Sequence, residues 1–228
     1  SLTLHEIGHT LGLRHNFKAS WLYDASEIHD KKITGNNHIG SVMDYDPINI
    51  APDGLKQGNY FPTVPGPYDI WAITFGYTQE MSDSDREALL SQSTKPEFIF
   101  GTDDDAMGSP GGNIDPRNKR YDMSSDPITY AVQRLQIIDN KINELPDIFN
   151  EPGSTYTELK ATFDSLLRDK GRFAESIAIQ IGGVYSNRIV IGQESGMTPF
   201  EVVPYEEQKR AMRALNEYLF ANDAFIFS

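Results

Sequence analysis

The sequence predicts a mainly α chain carrying one small β-hairpin. Two observations carry this expectation. Apolar residues recur at steps of three and four over three long stretches of the second half, and helix-stop residues punctuate the rest. Only two short β-branched or aromatic runs, Arg188-Ile189-Val190-Ile191 and Phe200-Glu201-Val202-Val203, are separated by a glycine-bearing loop in the manner of a hairpin.

Residues 1–14 read as the first helix. A loop-rich stretch follows to about residue 66, broken by Asn36-Asn37, Pro47, Pro52, Gly54, Gly58, Pro62, Pro65 and Gly66. Pro67 to Tyr77 has proline at the start, Asp69 in the first turn and apolar residues at helical spacing, so it reads as a second helix. Ser84 to Gln92 is a short helix and Glu97-Phe98-Ile99-Phe100 a short strand. Residues 101–125 are polar and turn-rich. Asp103-Asp104-Asp105 and Gly111-Gly112 there suggest a solvated acidic loop; Ca²⁺ is the alternative, although the residue order of a helix-loop-helix calcium site is missing.

Asp126 is suited to cap a helix with Pro127 at its first position, and Ile128, Val132, Leu135, Ile138, Ile142 and Leu145 then share one face until Pro146 stops the run. Another helix begins near Ser154 with Leu159, Phe163, Leu166 and Leu167, breaks at Gly171 and continues to Ile181. Pro204 opens the last, with Ala211, Met212, Leu215, Tyr218 and Leu219 on one side.

The chemistry is concentrated at the start, in His5-Glu6-Ile7-Gly8-His9-Thr10-Leu11-Gly12-Leu13-Arg14-His15. Residues four apart lie one turn above each other on a helix, so His5 and His9 can share one ion. Glu6 lies beside that face, within reach of a water on the ion. Gly12 lets the backbone leave helical geometry, and His15 returns to the same point. Three imidazoles with one open position describe a catalytic Zn²⁺ site; a structural site takes four protein ligands. His29 and His38 are the only spare imidazoles, and either is a candidate fourth ligand of a structural site.

This H-E-x-x-H-x-x-G-x-x-H segment, together with Ser41-Val42-Met43-Asp44-Tyr45, resembles the metzincin clan of zinc peptidases. The similarity extends through His-Asn-Phe-Lys-Ala-Ser at 15–20, Asp115-Pro116-Arg117 and Asp126-Pro127, and is greatest to the bacterial Met-zincin family of metalloproteases. The resemblance implies a C-terminal subdomain of a metzincin-like catalytic domain (active-site helix, Met-turn, following helix) over residues 1–77, a connector over 78–125, and a mainly helical domain over 126–228. It implies metal ligands His5, His9 and His15, a general base at Glu6, and an apolar floor at Met43 beneath them. Tyr45 takes the place of a tyrosine that contacts zinc or the developing oxyanion. One position departs from the related branches, which usually carry histidine where this chain has Asp44.

The implied activity is zinc-dependent endopeptidase cleavage of a peptide or protein substrate. A non-catalytic zinc-binding or protein-binding module derived from such a peptidase is the alternative. Metzincins place an N-terminal subdomain ahead of the metal helix, so residues 1–228 are expected to be the C-terminal part of a larger enzyme, partnered by that missing half. The resemblance also implies export to the periplasm, the outer surface or the medium.

Composition agrees with a folded acidic protein. Acidic residues outnumber basic ones by 33 to 20, which disfavours nucleic acid and anionic membranes as main partners. There is no cysteine, so no disulfide framework or thiolate metal site exists, and no apolar run is long enough to span a bilayer.

Overall fold

The computed structural model describes residues 2–106, 114–193 and 195–227. Its first helix, α1 (Leu2–Thr10), is followed by a long irregular stretch. That stretch contains a 3₁₀ turn at Ala19–Leu22 and one helical turn, α2 (Lys31–Thr34), and leads to α3 (Pro67–Tyr77) and α4 (Asp83–Leu90). After a 3₁₀ turn at Pro96–Phe98 and the short α5 (Asp103–Ala106) come the two long helices, α6 (Pro127–Ile148) and α7 (Tyr156–Ala178). A two-stranded sheet, β1 (Val184–Ser186) and β2 (Phe200–Val202), precedes α8 (Tyr205–Leu215), which runs into a π-helical turn at Asn216–Phe220. The fold is therefore mainly helical with one small antiparallel sheet. No described helix is long and apolar enough to cross a membrane.

Local chemistry fixes the long helices where the sequence places them. The Asp126 carboxylate accepts the Thr129 N–H and the Thr129 hydroxyl, and Pro127 occupies the first turn, whose amide would lack a partner in any case. Thr155 and Glu158 form a reciprocal capping box at the start of α7. Arg210 of α8 also reaches the Asp126 carboxylate, joining the last helix to the start of α6.

The core lies where α6, α7 and α8 meet. Ile128, Ala131, Leu135, Ile138 and Ile142 pack with Phe173, Ile177, Ala211, Ala214 and Leu215, and the same cluster includes Ala25, Ile28 and Ile39 from the irregular stretch after α1. A fully buried aliphatic side chain contributes about 1.5–3 kcal/mol, so this shared cluster anchors the loops of the first half on the helices of the second. Lys170, on α7, is buried and donates to Asp139 of α6 and to the Ala224 carbonyl of the C-terminal tail.

A second, ionic junction ties the strand pair to the chain just beyond α1. Lys18 and Arg117 both pair with the buried Asp115 carboxylate, which also accepts the Ser186 N–H of β1. Breaking one member of such a buried set leaves an uncompensated charge, at a cost of about 3–5 kcal/mol.

Several elements differ from the sequence expectation. Helix α1 ends at Thr10, not at 14, because Gly12 already turns the chain. Residues 97–100 are not a strand: Pro96–Phe98 forms a 3₁₀ turn, and Ile99 to Gly101 then runs beside Asn16 and Phe17. Pro146 does not stop α6, which continues to Ile148; a proline in the last turn removes only one amide donor. Gly171 does not break α7, since a glycine costs about 1 kcal/mol against alanine and Phe173 and Ile177 are held in the core.

The hairpin uses Val184–Ser186, paired Val184 with Val202, instead of Arg188–Ile191. Asp115 and Ile114 hold β1 in that register from behind, while Val190 and Ile191 are exposed. Gly111-Gly112 of the calcium alternative lies outside the described residues.

His29 and His38 are not exposed loop histidines. They are 7% and 0% exposed, and among the described residues none of their ring nitrogens has a hydrogen-bond partner, although His38 Nε2 lies 3.7 Å from the Asp46 carboxylate. Burial, then the neighbouring His38 and Arg134, lowers the His29 pKa to about 4. An unfolded histidine titrates near 6.5, so the contribution of neutral His29 is fully present above that pH and is lost as the pH falls through about 4. Urea unfolding of the metal-free protein should show wild type losing about 2 kcal/mol relative to His29→Gln between pH 7 and pH 4.5. An unchanged difference would contradict burial of a neutral imidazole.

Candidate metal centre

The site begins with the end of α1. Gly12 has φ +87°, the left-handed conformation that glycine adopts without penalty. The Leu13 N–H then donates to the Gly8 carbonyl and the Gly12 N–H to the His9 carbonyl, the paired bonds of a Schellman termination. This reversal carries His15 back over the face bearing His5 and His9. The three ring centroids stand 4.8, 5.3 and 4.8 Å apart, and one ligand nitrogen from each ring lies within 4.8 Å of the others. Among the described residues they are the one group of three or more His, Cys, Asp or Glu able to hold a metal ion. His29 and His38 do not belong to it.

The outward nitrogens show how the rings are set. His5 Nδ1 lies 2.8 Å from the Val42 carbonyl and His9 Nδ1 2.9 Å from the Leu13 carbonyl. A carbonyl only accepts, so both Nδ1 atoms carry the proton and both Nε2 atoms present a lone pair. His15 Nδ1 is 2.8 Å from Asp103 Oδ2, and its Nε2 is buried with no hydrogen-bond partner among the described residues. An imidazole whose far nitrogen donates to a carbonyl or carboxylate is the usual arrangement around a metal. Three such lone pairs at one point, one of them orphaned, fit a divalent cation of intermediate softness such as zinc. Burial lowers the His5 pKa, against the hydrogen bond to Val42, which keeps the ring neutral further into acid.

Beneath the rings lies the turn at 41–45. Met43 is fully buried, and a Cβ built on Gly8 would stand 2.3 Å from its sulfur. Gly8 therefore lets the thioether pass directly against α1. The turn is held by Asp69 in the first turn of α3. Its carboxylate accepts the Ser41 hydroxyl, the Val42 N–H and the Gly66 N–H. Burial pushes the Asp69 carboxyl up, and these three donors oppose the shift. Asn16, immediately after the third histidine, donates its N–H to the Met43 carbonyl and its amide to Ile99.

Tyr45 lies against the cluster, 5.3 Å from the His5 ring and 4.7 Å from that of His15. Burial and the Asp103 charge raise its phenol pKa, so it remains a proton donor over the neutral range. Asp44, the position that departs from the related branches, faces away from the metal side. It is buried and accepts the Ser20 and Tyr45 N–H groups, stapling the turn to the 3₁₀ segment at Ala19–Leu22. Glu6 is exposed beside the cluster, and its charge acts on both His5 and Tyr45.

The acidic triplet is the main correction to the sequence reading. It remains partly solvated, Asp104 most of all, but it forms the helical turn α5 and is paired: Asp103 holds His15, Asp104 meets Arg14, and Asp105 accepts the Thr102 N–H while meeting Arg188. Burial opposes ionisation of Asp103, but the His15 hydrogen bond and charge hold its carboxyl below the ordinary value. No local signal marked Asp103, which lies 88 residues from its partner. Asp69 was visible as an acidic residue in a helix's first turn, but its hold on the turn at 41–43 was not.

A helix and a returning loop that converge three imidazoles above a buried methionine define a metallopeptidase-type domain. The Met-zincin family profile matches residues 1–227, and the chain belongs to that family. No curated protein and no solved structure matches it with significance.

If Asp103 orients His15, Asp103→Ala should weaken zinc binding about 10–100-fold, as read by competition with a chromogenic chelator, with little change in the far-UV spectrum. Wild-type affinity in that variant would remove Asp103 from the site.

Proposed function

We propose that the protein is a zinc-dependent peptidase in which His5, His9 and His15 are the metal ligands and Glu6 is the general base. The observation that carries this reading is the trio of imidazoles whose outer nitrogens are all occupied, converging beside an exposed carboxylate that forms no ion pair among the described residues. Zinc held there supplies Lewis acidity, polarising a scissile carbonyl and acidifying the attacking water.

Glu6 then takes a proton from that water and delivers it to the leaving amine, one carboxylate serving in both directions. Its place next to His5 on an exposed part of α1 leaves it open to substrate. Tyr45 donates its phenolic proton in a hydrogen bond to the oxyanion that develops as the carbonyl becomes tetrahedral. Removing a donor of this kind costs about 3 kcal/mol of transition-state stabilisation. Met43 contributes no polar atom to the reaction; it keeps water from beneath the imidazoles and fixes their spacing. The proposed substrate is a peptide or protein chain laid over the exposed side of α1, and export is proposed from the family resemblance alone.

A quenched-peptide or casein assay on zinc-loaded protein, with and without chelator, tests the activity. Glu6→Gln should retain one equivalent of zinc and lose turnover by at least about 100-fold. Full activity in that variant would refute the assigned base. A zinc-loaded wild type that binds but never cleaves peptides would make the protein a recognition module.

A further inference from the structure

Tyr121 has an unusual backbone and an unusual position. Its φ is +64°, a left-handed conformation that is strained for a non-glycine residue. Burial does not offset that cost, because the side chain is 42% exposed. The residue does make three specific contacts. Its N–H donates to the Tyr45 carbonyl at 2.9 Å. Its ring lies nearly parallel to the Tyr45 ring, at 18° and 6.1 Å between centroids. The Arg172 guanidinium of α7 also lies over its ring, 5.0 Å from the ring centre.

The neighbouring residues fix the segment from both sides. Lys119 pairs with Glu175 at 2.9 Å, one turn of α7 beyond Arg172. Asp122 is buried and accepts the Ser20 hydroxyl, and the Ser124 N–H donates to the Ser20 carbonyl. The strained residue is therefore set between a rigid helix and the tyrosine that lies on the metal ligands. A strained conformation persists only where its surroundings over-determine it, and such residues gather at working sites.

We propose that Tyr121 is a positioning residue for Tyr45, and that Arg172 of α7 holds it in that role. The proposal rests on the reading of Tyr45 as an oxyanion donor. Tyr45 is half-buried at the end of the 41–45 turn. The Tyr121 ring stacks beside its ring and the Tyr121 peptide N–H pins its backbone carbonyl. The long C-terminal helix thus reaches the metal centre through two aromatic rings.

The test is a double-mutant cycle on the zinc-loaded full chain, read by kcat and KM on a quenched peptide and by calorimetric Kd for a phosphinic peptide. The phosphinic group presents a tetrahedral oxyanion and needs no turnover. Tyr121→Ala should lower kcat about 10-fold and weaken the phosphinic peptide by a similar factor, with KM changed less than about twofold. Tyr121→Phe, which keeps ring and backbone, should restore both to within about twofold, and Arg172→Ala should fall between. In a Tyr45→Phe background, Tyr121→Ala should cause no further loss.

Independent, additive losses would overturn the positioning role, as would a Tyr121→Phe variant as impaired as Tyr121→Ala. If Tyr45→Phe itself leaves phosphinic peptide binding unchanged, the donor reading of Tyr45 fails and this proposal falls with it. If wild type binds no phosphinic peptide, the peptidase reading is what has failed, and Tyr121 has no oxyanion donor to position.

Discussion

The Asp69 carboxylate is the constraint on which the site depends. It sits in the first turn of α3, 4% exposed, and accepts hydrogen bonds from the Ser41 hydroxyl and the Val42 and Gly66 amides. The Val42 peptide it grips on the nitrogen side presents its carbonyl to His5 Nδ1. One buried carboxyl group thereby fixes the turn, sets Met43 under α1 and determines which nitrogen of His5 faces the metal position. A buried group with three donors is expensive to leave half satisfied, so turn, helix and ligand form one unit.

The other two imidazoles are set by different means. His9 is oriented within its own loop by the Leu13 carbonyl, a consequence of the glycine reversal at 12. His15 is oriented by Asp103, on a segment that Asn16 and Phe17 hold alongside by bonding to residues 99 and 101. Each ligand thus answers to a separate part of the chain: α3, the α1 terminus, and the 99–105 segment. The helical half adds a fourth influence through Tyr121 and Arg172, and the shared core of Ile28 and Ile39 with α6 holds the halves together. The metal centre is a property of the whole chain more than of its eleven-residue motif.

The sequence revealed the parts whose meaning is local. His5, His9 and His15 are spaced by helix geometry and a glycine turn, and the start of α6 at Asp126 and of α3 at Pro67 is marked by adjacent residues; the three imidazoles cluster and both helices begin where that spacing placed them. What it hid is set by contacts across long separations. Asp103 reads as one of three like charges until Arg14, His15 and Arg188 surround the triplet. His29 and His38 read as ordinary loop residues because nothing nearby in the sequence shows that the fold buries them. The β1 strand was misplaced for a related reason: Val190 and Ile191 have the stronger intrinsic preference, but Asp115 and Ile114 fix the pairing at Val184–Ser186.

Zinc K-edge X-ray absorption on the metal-loaded protein examines the central claim most directly. The account predicts one zinc per chain with three imidazole nitrogens at about 2.0–2.1 Å and a remaining position filled by a light atom from solvent. Each of His5→Ala, His9→Ala and His15→Ala should remove one imidazole from that shell. A shell with fewer than three imidazoles in the wild type, or one that His15→Ala leaves unchanged, would contradict it.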